Sequence, residues 1–250
     1  MRALLLPVLL LAPGRAAAEP VRFKTADGWT ICANYQAPKK GRPVAILVHG
    51  VAAGKSEWLP LVTELTKRGV GSLALDLRGH GESVAGPAGK SDFTGFDAAG
   101  EWPKARQDIE AAAAFLAQRG LPSGRVGYIG ASIGANLVSW ARPRPRWLAL
   151  LSPGVDYRGV RLSLPPSGVS VLVAASPPDA YAYQTASAYA QQFPSAVFLT
   201  TGQGHGAQML SDPAFLKGLA DWIERAGRKE VRPAGTGGTS GTAGAGSPRP

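Results

Sequence analysis

The chain is 250 residues long with 45% hydrophobic residues, enough to bury one sizeable core, and its mixed apolar and polar texture reads as a soluble globular domain. Its formal net charge of +10 falls partly on the two ends, and the one dense basic cluster, Arg142, Arg144 and Arg146, alternates with prolines in a solvated loop. It lacks the aromatic interleaving or helical basic stripe of a nucleic-acid site, so nucleic acid is not an expected partner. A single cysteine, Cys32, excludes an internal disulfide.

The first stretch, MRALLLPVLLLAPGRAAAEP, combines a basic start at Arg2, an apolar run from Ala3 to Ala12 and small residues at Ala16, Ala17 and Ala18. That is the pattern of a secretory signal peptide over residues 1–18, with an apolar run too short for a stable membrane anchor. Export to a periplasm or to the outside of the cell is the expectation. At the other end, residues 229–250 are rich in Gly, Ser, Thr and Pro with little to pack, and are expected to be disordered. Residues 19–228 remain as one folded domain.

Within that domain, VRFKTADGWTICANYQAP reads as a β-hairpin turning at Asp27-Gly28, with Trp29, Ile31, Ala33 and Tyr35 on one face and the other face wet. PVAILVHG is instead continuously apolar, as in a parallel strand covered on both sides. A helix follows, with Ser56 as its expected cap, Trp58, Leu61, Val62 and Leu65 on one stripe, and Gly69 as its stop. VGSLALDLRGHG is a strand entering a Gly-rich turn, where Asp76, Arg78, His80 and Ser83 form a polar turn of structural role. Farther on, Phe93, Phe96 and Trp102 either wall a site or pack beneath one.

Ile109, Ala112, Ala113 and Leu116 mark the next helix, RVGYIG a strand, Ile133 to Ala141 a helix, and WLALLS a strand with a short irregular excursion after it. VSVLVAAS, Tyr183 to Phe193, AVFLTT and a last helix facing inward through Phe215, Leu219, Trp222 and Ile223 complete the series. Strands alternating with helices after an antiparallel start imply an α/β fold with a mostly parallel open sheet and helices on both faces. Chemistry in such sheets gathers at the carboxyl ends of the strands.

Gly130-Ala131-Ser132-Ile133-Gly134 is G-x-S-x-G between an expected strand and an expected helix. A sharp turn there projects the serine hydroxyl beside a helix N-terminus, where developing negative charge is favoured. Serine needs a base. Of three histidines, only His205 follows Ser132, in a Gly-rich loop after the last strand. Asp179, just past a strand, completes the order Ser, Asp, His; Asp156 follows another strand end and stays open as the rival acid. The backbone N–H groups of Ile133 and Val51 are the expected oxyanion donors, and His49 is expected to order the Val51 loop by hydrogen bonding. Neither H-E-x-x-H nor a cysteine pair occurs, so no metal or organic cofactor is expected.

In this order, LVHGVAAG, LDLRGHGES, GYIGASIGAN, AASPPDAYA and GQGHGAQM resemble the α/β-hydrolase fold superfamily over nearly the whole domain. DLRGHGES is most similar to the serine aminopeptidase and monoacylglycerol lipase group. The short excursion after LALLSPG resembles compact esterases and dienelactone hydrolases; the dienelactone hydrolases similar to this core often use cysteine where this chain has Ser132. The resemblance implies a serine hydrolase without a lid domain, acting on small or medium soluble esters. Peptidase or amidase chemistry on the same residues, or a binding protein that keeps the fold without turnover, are the alternatives.

Overall fold

The computed structural model describes residues 18–165 and 167–228. The expected leader and tail therefore lie outside the described residues, apart from Ala18. The hairpin forms as expected: β1 (Glu19–Lys24) pairs antiparallel with β2 (Thr30–Gln36). The second face of β2 is less wet than its alternation suggests. Cys32 is buried because the turn that follows the strand Gly71–Leu75 covers it, with Ser83 Oγ accepting from Cys32 N–H at 2.8 Å.

Next come β3 (Val44–Val48), α1 (Leu59–Lys67), β4 (Gly71–Leu75), two short strands β5 (Ala85–Gly86) and β6 (Gly89–Lys90), α2 (Phe96–Ala99) and α3 (Arg106–Gln118). The second half holds β7 (Val126–Ala131), α4 (Ile133–Ser139), β8 (Trp147–Leu151), the small hairpin β9 (Asp156–Tyr157) and β10 (Val160–Arg161), β11 (Ser170–Ala175), α5 (Ala180–Gln192), β12 (Val197–Thr200) and α6 (Pro213–Arg228). Ser56 does not cap α1. It lies inside a 3-10 turn, Lys55–Trp58, and α1 starts only at Leu59, with Pro60 in its first turn, where a missing N–H costs nothing.

The main sheet runs β12-β11-β8-β7-β3-β4-β2-β5-β6, with β1 also on β2. From β12 to β4 every pairing is parallel; β2 joins β4 antiparallel. Side chains alternate across it. Val44, Ile46 and Val48 pack into a core with residues of α3, α4 and α5, whereas Ala45 and Leu47 pack into a second core with residues of α1 and α6. A three-layer α/β domain results, its parallel strands buried on both faces as their uninterrupted apolar runs require. Phe96 and Trp102 belong to the first core, so they pack beneath the surface rather than wall a site.

Candidate active site

The strand β7 ends and α4 begins with Ser132 between them, at φ 56° and ψ −127°. For a residue with a side chain this is strained backbone, costing on the order of 1–3 kcal/mol, and only dense surroundings maintain it. The glycines supply them. A Cβ on Gly130 would lie 2.2 Å from the Gly134 carbonyl oxygen, and one on Gly134 would lie 2.3 Å from that of Val48. Ser132 N–H is tied to the Leu151 carbonyl on β8 at 2.8 Å. The turn is therefore locked from three sides, and it presents a half-buried serine at the carboxyl edge of the sheet.

Asp179 and His205 meet there. His205 Nδ1 lies 2.6 Å from Asp179 Oδ2. A carboxylate only accepts, so Nδ1 carries the proton and Nε2 is left with a free lone pair. Asp179 stands at the N-cap position of α5 but does not cap that helix with its side chain; its carboxylate goes to the imidazole. The two loops are stitched together by Ser176 Oγ, which donates to the Gly204 carbonyl at 2.5 Å. Gly206 seats the histidine loop on the elbow: its N–H donates to Ser152 Oγ at 2.9 Å, and a Cβ there would lie 3.1 Å from that of Ala131. Ser132 and His205 make no hydrogen bond with each other.

Asp156, the rival acid, is committed elsewhere. Its Oδ1 accepts from Gly159 N–H at 2.8 Å within the β9–β10 turn, and Oδ2 faces Arg161.

The loop after β3 approaches from the opposite side of the serine. A Cβ on Gly50 would sit 3.1 Å from Ser132 Cβ. His49 is fully buried; Nε2 accepts from Leu77 N–H at 2.9 Å, so Nδ1 must be the donor to the Gly50 carbonyl at 2.6 Å. Because the peptide is planar and trans, pulling that carbonyl one way turns the Val51 N–H the other. Neither Val51 N–H nor Ile133 N–H has an acceptor among the described residues. Burial, then the neighbouring His80, lower the His49 pKa to about 4, so the ring stays neutral and keeps both bonds near neutral pH.

Asp76 fixes the same loop, accepting from Lys55 N–H at 2.8 Å and pairing with the Lys55 ammonium. Arg78, fully buried, bonds Asp108, Asp27 and Glu101 and ties the turn to the first hairpin and α3. His80 stacks on Phe93 at 4.3 Å.

Sequence reasoning missed three contributors. Glu57 lies under the Val51 loop with Oε1 buried and unpartnered, and burial pushes its carboxyl up to about 7. Asn136, buried one turn into α4, bonds the carbonyls of Gly154 and Val160 and the N–H of Gly154, fastening the β9–β10 hairpin. Tyr157, on that hairpin, turns its ring edge to face with the His205 imidazole at 6.4 Å. No period or spacing announces any of them; for Glu57 alone, a lone acid beside Trp58 in an apolar stripe was a faint signal.

Residues 45–249 match the family model described as alpha/beta hydrolase family. No curated protein sequence matches the chain. Among solved structures it is similar to the Pyrococcus furiosus esterase Pf2001 (TM-score 0.64, 17% identity, covering 88% of this chain and 95% of that one). It is also similar to Est1E from Butyrivibrio proteoclasticus, solved with ferulic acid (0.61, 18%, 81% and 96%), and to a thermophilic esterase from Thermogutta terrifontis (0.61, 18%, 84% and 99%).

Proposed function

Since this chain belongs to the alpha/beta hydrolase family, we propose that it is a serine hydrolase, a carboxylesterase for small or medium soluble esters, exported through its N-terminal segment. The observation that carries the reading is the 2.6 Å Asp179–His205 hydrogen bond in a loop seated on the strained Ser132 turn. With Nδ1 occupied by Asp179, Nε2 is the free base for the serine proton. In the proposed reaction Ser132 Oγ attacks the ester carbonyl as its proton passes to His205, and the Val51 and Ile133 N–H groups receive the developing oxyanion. The carbon–oxygen bond to the alcohol then breaks, with His205 returning the proton to the departing oxygen. Water, deprotonated by the same imidazole, attacks the acyl-enzyme and releases the acid.

Asp179 holds the tautomer and stabilises the imidazolium throughout. The preference for soluble esters is supported by the short excursion beyond β8, which folds as a hairpin of two-residue strands rather than a lid. Ester hydrolysis measured beside aminoacyl amide hydrolysis tests the assignment. Ester turnover that vanishes in Ser132→Ala is expected; amide turnover without ester turnover would replace the esterase by an amidase. Export is checked by the N-terminus of the mature protein, expected after residue 18.

A further inference from the structure

We propose that Tyr157 and Tyr181 form the wall of the site on the leaving-group side, and that the preferred substrates are esters of flat, aromatic alcohols. The proposal rests on the hydrolase reading and adds to it the class of alcohol. It starts from a hairpin too small to own a core. The β9–β10 strands are two residues each, yet the hairpin is held from every direction. Asn136 grips its base with three hydrogen bonds. Its turn, Arg158-Gly159, has φ of 53° and 83°, the double left-handed geometry of a tight hairpin turn. From that turn Arg158 crosses to pair with Asp97 and lies over the Trp102 ring at 5.6 Å.

The purpose of this fastening is legible in where the two tyrosines end up. Tyr181, from the first turn of α5, exchanges hydrogen bonds with both the N–H and the carbonyl of Asp156, each 3.1 Å. Its ring meets that of Tyr157 edge to face at 5.6 Å. Both rings lie over Gly154, where a Cβ would come within 2.6 Å of Tyr181 and 2.7 Å of Tyr157, so glycine clears the floor for them. Tyr157 then stands perpendicular to the His205 imidazole at 6.4 Å, and its hydroxyl donates to the Ser152 carbonyl at 3.3 Å. Burial, followed by the Asp179 charge, keeps the phenol protonated.

His205 must hand its proton to the departing alcohol, so the alcohol leaves over the imidazole, on the side away from the Val51 loop. Tyr157 is the aromatic ring that meets the imidazole, with Tyr181 packed against Tyr157 in turn. Tyr181 is 46% exposed and Val155, beside the pair in the same loop, 63%. Apolar surface that is left open although its side chains are immobilised is a binding surface, and aromatic rings discriminate a flat partner from a puckered one of equal size.

The test compares benzyl acetate with cyclohexylmethyl acetate, which share the acyl group and have alcohols of similar size and leaving ability. The wild-type protein is expected to favour the benzyl ester in kcat/KM by about two- to tenfold. Tyr181→Leu and, independently, Tyr157→Leu are expected to bring the ratio near one, while Tyr181→Phe keeps the preference. Saturation-transfer NMR of benzyl alcohol and cyclohexylmethanol on the Ser132→Ala protein reads the same wall without turnover. Selective binding of benzyl alcohol by a protein that hydrolyses no ester would sink the hydrolase reading and leave the aromatic wall standing. A wild-type ratio of one, a ratio indifferent to the leucine variants, or a ring preference found only on the acyl side would overturn the proposal.

Discussion

The turn carrying Ser132 follows β7 and the hairpin carrying Tyr157 follows its neighbour β8, but the two are held by opposite means. The turn is fixed by backbone packed on backbone: glycines at 130 and 134 leave no room for a methyl group, and every neighbour is buried main chain. The hairpin is fixed by side chains, through an amide at its base and a half-exposed guanidinium at its tip. Close packing cannot give by a few tenths of an ångström without disturbing the sheet, whereas an exposed ion pair can be lost and replaced by water. In the proposed reaction the attacking oxygen of Ser132 sits in the part that cannot move. The rings proposed to choose the substrate sit in the part that can vary.

The sharpest way to break this contrast is Gly134→Ala. Its methyl would lie 2.3 Å and 2.5 Å from the Val48 and His49 carbonyl oxygens, and neither is a flexible side-chain end. Loss of soluble folded protein, or of all turnover in what remains, is expected by circular dichroism and ester assay. Asp179→Asn leaves the packing intact and removes the tautomer control; kcat is expected to fall by about ten-thousandfold, while Asp156→Asn alters it little. Third is His49→Ala, which frees the Gly50 carbonyl and with it the Val51 N–H. A loss of up to about a hundredfold in kcat with little change in KM is expected, within the range for a displaced oxyanion donor.

Glu57→Gln is read by stability. The folded carboxyl holds its proton to about pH 7, against an ordinary value of 4.5 in the unfolded chain. Its contribution is therefore complete below pH 4.5 and is lost as pH rises through about 7. Thermal melts of variant and wild type should converge near the acid end and separate above about pH 7, with the glutamine variant the more stable. His49 runs the other way: its depressed pKa removes stability as pH falls from 6.5 through about 4. The smallest effect belongs to Arg158→Ala, where the pair is exposed and turnover is expected to change less than about threefold.

Much of the candidate site's geometry is legible in residue order because it depends on backbone constraints that leave marks. The glycine-flanked serine marks a turn with no room beside it, and a histidine after the last strand can open only on one edge of the sheet. Asp179 is favoured over Asp156 in sequence by chain order, but both follow strand ends; in the structure Asp179 bonds His205 and Asp156 bonds Gly159. Tyr157 and Asn136 left no mark at all, because two-residue strands have no period and a buried amide in a helix looks like any other polar residue. The α1 start was misplaced at Ser56 for a similar reason: a 3-10 turn and an α-turn share the same apolar spacing over four residues.

The central claim is that Ser132 is a nucleophile activated by His205. Mass spectrometry of the folded protein after treatment with a fluorophosphonate tests it most directly. A single phosphonyl adduct on the peptide containing Ser132, formed by the wild type and strongly slowed in His205→Ala, is the expected result. A folded protein that takes up no label, or takes it up at another residue, would contradict it.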